Sequence, residues 1–178
     1  MESAVASTAV ELSDLNLEAL AARIQDRSLP WDKRDAVLNA LGERFASRAI
    51  NLDAPEFAPS LKAVCHSLVA QLPDLRSQVV RSACTAISQV VAAVGDHPAL
   101  GRLLQHALLP GLLQLAANGN GVLASAGREC LPTLMMHCHV PGALKVLSTS
   151  LRESRHVAVR HSCCVCLLHA LPHAPILP

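Results

Sequence analysis

The stretch Asp74-Leu-Arg-Ser-Gln-Val-Val-Arg-Ser-Ala-Cys84 decides how the rest of the chain is read. It follows Leu72-Pro73, a pair that stops a helix. It opens a new one whose apolar residues Val79, Val80, Ala83, Ile87, Val90, Val91 and Val94 recur at i, i+3/i+4 and i+7. A polar corner therefore separates two apolar helices. The same shape returns along the sequence, with corners near Trp31, Arg76, Gly119 and Ser154. Their separation, roughly 40 residues, is that of a repeated helical hairpin.

Working outward from this stretch, the preceding helix carries Pro55 and Pro59 at its start and the stripe Phe57, Leu61, Val64, Leu68, Leu72. Proline is tolerated there because first-turn N–H groups have no helical partner. Before it, Ser13 is the expected N-cap of a helix through Leu15, Leu17, Leu20, Ala21 and Ile24, broken at Arg27-Ser-Leu-Pro-Trp31. The chain restarts over residues 32–48 with Val37, Leu41 and Phe45 on one face. Downstream, Gly95 ends the helix begun at Asp74, its cap. Residues 100–117 then pair with 122–138 across Asn118-Gly-Asn-Gly121, two Gly and two Asn suited to positive φ. Pro110 and Pro132 are expected to kink these helices. Residues 141–152 pair with 155–171 across Glu153-Ser154, and the Pro-rich tail 172–178 cannot continue a helix. The fold class expected is all-α: an α-solenoid of about four HEAT-type hairpins over residues 13–171, after a flexible lead at 1–12. Solenoids bury their faces between neighbours and line their corners along one edge, so function is expected on that edge.

Composition agrees. Apolar residues make up 51% of 178, but aromatics only 2%, and Tyr is absent, which favours helices over a β-sandwich or barrel. No apolar run reaches the ~18 residues of a membrane span. Met1-Glu2-Ser3 lacks a basic, signal-like start, so an intracellular, soluble protein is expected. The net charge of +1 does not suit a nucleic-acid binder. It hides a gradient: residues 1–74 carry eleven acids and seven bases, residues 75–178 three acids and eight bases. Such polarity either orients an acidic partner or merely solvates the two ends differently. Seven cysteines, an odd number at mostly apolar helix positions, oppose a secreted disulfide framework.

Four segments carry a resemblance: Trp31-Asp-Lys-Arg34, Asp74-Leu-Arg-Ser-Gln-Val-Val-Arg81, Ala126-Gly127 and Val157-Ala-Val-Arg160. In this order they resemble the TOG (tumour-overexpressed-gene) domain of the cytoplasmic linker-associated protein (CLASP) group of microtubule regulators. The resemblance implies a paddle of HEAT repeats that binds tubulin through its intra-repeat corners, in the cytoplasm on the microtubule cytoskeleton. By the same resemblance Trp31, with Lys33 in its corner, packs on β-tubulin. Leu75, Arg76, Ser77 and Val79 form the second corner and the start of its helix. Asn118 and Asn120 lie in the third corner, and Arg155 and Arg160 flank the fourth. Two departures stand out. The family's third corner usually offers a Lys, absent here, and its domains usually have six repeats where four are legible. A fragment or shortened product of a longer domain is the expectation.

The corner chemistry is physically sensible. Trp buries much area at little entropy cost, and Arg forms bidentate bonds to the carboxylates of an acidic partner. The plainer alternatives are a Trp31 stapled onto its own helix and arginines that are solvated or, for Arg81 and Arg160, bonded to neighbouring carbonyls. His137-Cys-His139 and Cys163-Cys-Val-Cys166 invite a zinc reading, but neighbouring helix positions diverge and no second C-x2-C exists. No metal, cofactor or catalytic motif is expected, and hence no enzyme. A generic HEAT scaffold without tubulin affinity is the rival reading. The last helix ends on Cys163, Cys166, Leu167, Ala170 and Leu171, with Ile176 and Leu177 beyond, so self-association through the C-terminal end is expected.

Overall fold

The computed structural model describes residue 12, residues 14–137 and residues 141–170. These fold into helices α1 (Leu17–Gln25), α2 (Trp31–Ala46), α3 (Phe57–Gln71), α4 (Ser77–Val94), α5 (Pro98–Leu103), α6 (Leu109–Ala116), α7 (Gly121–His137), α8 (Pro141–Glu153) and α9 (Val157–Ala170). A π-helical turn, Leu104–Leu108, joins α5 to α6. No strand occurs among the described residues.

Two layers result. Helices α1, α3, α5–α6 and α8 stack in one, and α2, α4, α7 and α9 in the other. The hairpins α1/α2, α3/α4, α5–α6/α7 and α8/α9 are thus consecutive units of an α-solenoid, as periodicity predicts. The α3 stripe from Phe57 to Leu72 and the α4 stripe from Val79 to Val94 are buried throughout, and Val37, Leu41 and Phe45 of α2 join them. Full burial of each such side chain stabilises the fold by about 1.5–3 kcal/mol. One contact needs the absence of a side chain: a Cβ on Gly127 of α7 would lie 2.9 Å from the Ala116 nitrogen and 3.2 Å from the Leu112 carbonyl oxygen.

The helix ends differ from the sequence expectation in several places. Asn16, whose side chain accepts the Ala19 N–H at 2.8 Å, caps α1; Ser13 lies outside the described residues. Arg76, not Asp74, is the N-cap of α4. Asp74 instead accepts the Arg76 N–H at 2.8 Å from outside the helix. Gly95 does end α4 as expected, with φ of 58°. Gly119, Gly121 and their asparagines do not use positive φ, which among described residues occurs only at Arg48 and Gly95. That corner turns on side-chain bonds instead: Asn118 Oδ1 accepts the Asn120 N–H at 2.8 Å, and Asn120 Oδ1 accepts the Val122 N–H at 3.0 Å. Pro110 is met by the π-turn. Proline has no N–H for a preceding carbonyl and its ring crowds it, so the backbone widens, and the Leu109 N–H bonds the Leu104 carbonyl. The last helix starts at Val157. The lead, Cys138, His139, Leu171 and the tail fall outside the described residues, Leu12 excepted, which is buried.

Candidate partner-binding edge

Every second-layer helix begins at a hairpin corner, which sets the four corners side by side. Three open recesses lie along them. Trp31, Arg34, Gln71, Asp74, Leu75 and Arg76 line the first, a volume of about 510 Å³ between corners one and two. Arg81 and Val122 line the second, which runs between α4 and α7 beside the third corner. Asn118, Ser154 and His156 line the third, between corners three and four. The first recess thus joins corners one and two, and the third joins corners three and four.

Pro30 aligns the first corner: it occupies the N-cap, and Trp31 is the first residue of α2. The indole is 44% exposed. It faces the recess together with Leu75, which at 96% exposure is the most solvent-facing large apolar side chain described. Beneath them, half-buried polar groups hold the two corners together. Arg34 donates from Nη1 to Asp74 Oδ2 at 2.9 Å and to Gln71 Oε1 at 2.8 Å. Gln71 in turn donates to the Ile24 carbonyl at 3.0 Å. Burial pushes the Asp74 carboxyl up, but the Arg76 N–H, the Arg34 hydrogen bond and the charges of both arginines outweigh it and leave it below its ordinary value.

The structure sorts the remaining sequence-predicted residues. Lys33, Arg76 and Arg155 are exposed on the corners, and Ser77 is half-buried at the first position of α4. Val79 is fully buried; it belongs to the core face of α4 and is not available to a partner. Asn118 and Asn120 are exposed, yet their side-chain oxygens are engaged in making the turn. Arg160 donates to the Ser154 carbonyl at 2.8 Å, so it braces the fourth corner, and Arg81 bonds Gln78 Oε1 at 3.2 Å.

Two edge residues escaped the sequence reading. Val122 is 52% exposed and Val157 is 70% exposed, at the second position of α7 and the first of α9. With Trp31 and Leu75 they give every corner one outward apolar side chain. The available signal was an apolar residue at a helix start that lies off the buried stripe. Among the described residues no group of three or more His, Cys, Asp or Glu side chains could hold a metal ion. Burial pushes the Cys163 and Cys166 thiols up to about 11 and about 12, as expected of packing residues. No helix among the described residues is long and apolar enough to cross a membrane.

No family model matches the chain. A designed armadillo repeat protein superposes with a TM-score of 0.54 over 86% of this chain and 64% of its own, at 15% identity, a likeness of fold alone. In sequence the chain is 28% identical to CLIP-associating protein 1 of Xenopus tropicalis over 143 residues, 79% of this chain and 9% of the relative. It is 29% identical to CLIP-associating protein of Drosophila melanogaster over 161 residues, 88% of this chain and 10% of that one. For CLIP-associated protein of Arabidopsis thaliana the identity is 28% over 149 residues, 83% and 10%. The chain thus spans about a tenth of the length of the curated relatives it matches. The chain is thus a helical-repeat solenoid similar in sequence to CLIP-associating proteins of two animals and a plant, in keeping with a TOG-type domain.

Proposed function

We propose that this chain is a non-enzymatic tubulin-binding module of the microtubule cytoskeleton, acting in the cytoplasm on microtubule dynamics, and that it docks through the corner edge. The observation that carries this is the first recess, where Trp31 and Leu75 stand exposed beside Arg76. An aromatic anchor next to a guanidinium suits an acidic protein surface: the ring supplies buried area, and the cation sets orientation and association rate. Lys33 and Arg155 extend the positive character along the edge. The experiment is co-elution with tubulin. Trp31→Ala with Arg76→Ala is expected to abolish it while the helical circular-dichroism spectrum is unchanged; retained binding by the double variant rules the mechanism out.

A second reading, a HEAT-type scaffold without tubulin affinity, is favoured by the third corner. It presents no charge, and both asparagine oxygens are committed to the backbone. Failure of the unmodified chain to co-elute with tubulin selects this reading. Self-association is a further part of the proposal: Cys164 and 68%-exposed Leu168 lie outward on α9. A concentration-independent monomer in sedimentation would remove it.

A further inference from the structure

The groove between α4 and α7, whose volume is about 530 Å³, has two cysteines at its floor. Cys84 of α4 and Cys130 of α7 come from different hairpins and meet across the groove. Cys130 Sγ also lies 3.4 Å from the Cys84 carbonyl oxygen, to which it donates, and 3.3 Å from Ser88 Oγ. Small residues make this approach possible: Cys84 and Ser88 are one turn apart on α4, Ala126 and Cys130 one turn apart on α7. The walls carry hydroxyls, the Arg81 guanidinium and the Glu129 carboxylate.

We propose that Cys84 and Cys130 are a reactive dithiol that a small peptide disulfide, glutathione disulfide being the type, converts into a reversible covalent staple between the second and third hairpins. The nucleophile is Cys130. The Ser88 hydroxyl lies within hydrogen-bond reach of its sulfur. The neighbouring Cys84 side chain and, more weakly, Ser88 outweigh burial and hold its thiol below the ordinary value, while the same contact, together with burial, pushes Cys84 up. The thiolate attacks one sulfur of the small disulfide. That S–S bond breaks, one small thiolate leaves and takes a proton from water, and a mixed disulfide remains on Cys130. Cys84 then gives its proton to solvent and attacks the Cys130 sulfur, expelling the second small thiol. Two protein thiols lose two electrons and two protons, and one small disulfide becomes two thiols. A peptide with free carboxylate and ammonium ends is matched by Arg81 and Glu129 on the groove walls.

The three cysteines of α9 are arranged differently. Cys163 and Cys166 sit one turn apart on one helix and are pushed up by burial, and Cys164 is exposed.

The test uses the full chain carrying Cys164→Ser, which removes an exposed thiol that takes up adducts by access alone. The folded protein is incubated with glutathione disulfide and digested without reduction. The expected product is a peptide pair joined at Cys84 and Cys130, lighter by two hydrogens and separated by dithiothreitol. The melting temperature of the joined protein is expected to rise by about 5–10 °C, since the cross-link closes a long loop of the unfolded chain. Cys84→Ala and Cys130→Ala are each expected to abolish both the product and the shift. Cys84 and Cys130 that stay reduced in the folded protein, or that join only after denaturant is added, overturn the proposal.

Discussion

Corners one and two are joined to each other, whereas corners three and four are each closed on themselves. In the first pair, Arg34 reaches from α2 to Asp74 and Gln71 of the next hairpin, and Gln71 reaches back to Ile24. In the second, Asn118, Asn120 and Arg160 all bond backbone groups of their own corner, and Ser154 Oγ accepts the His156 N–H at 3.2 Å. Apolar stacking joins the described units, and among the described residues the directed polar bonds that tie one corner to the next are found at the N-terminal end. The difference teaches that equal repeats need not present equally preorganised surfaces. The anchor recess of Trp31 and Leu75 is built where the polar cross-ties are.

The sharpest way to break the comparison is Gly127→Val. With backbone atoms of α6 in its way, the new side chain is expected to part α6 from α7 and cost about 3 kcal/mol, read as a lower urea midpoint. Tolerance of valine would mean that the third hairpin is looser than its contacts imply. Next is the cross-tie. Arg34→Ala is expected to cost about 2 kcal/mol, because it strands half-buried Asp74 and buried Gln71. In a double-mutant cycle with Asp74→Asn, coupling of about 1 kcal/mol or more is expected; additivity would remove the tie. The Asp74 carboxyl is held below its unfolded value of about 3.9, so its contribution is present above that pH and lost as pH falls through the folded value. The stability gap between the parent and Asp74→Asn should accordingly close on acidification; a gap constant across pH would show the charge to be irrelevant. The smallest effect belongs to the self-closed corner. Asn120→Ala is expected to cost about 0.5–1 kcal/mol and to be additive with Arg160→Ala.

Much of the fold is legible in sequence because burial here follows helix periodicity. The α3 and α4 stripes, the Gly95 stop and the four hairpins need only spacing and local propensity. What is not legible depends on atoms from another hairpin. Arg34 stands in the same motif as Trp31, but its role needs the position of Asp74, forty residues on. Val79 and Leu75 are both apolar and near one corner; the rotational setting of α4 sends Val79 to the core, while Leu75, ahead of the helix in the corner itself, stands in solvent. Cys84 and Cys130 look like small packing residues, and so they are, yet their contact depends on how α4 registers against α7. The π-turn before Pro110 was hidden for another reason: a missing N–H predicts disruption without saying whether the helix bends or widens.

The chain has a single tryptophan and no tyrosine, and that indole stands on the edge. Its native emission therefore comes from one known place. Any occupant of the first recess should shift that emission to the blue without a label being attached, and a ligand of the α4–α7 groove should leave its colour alone. The molecule carries its own optical probe at the spot where docking is expected.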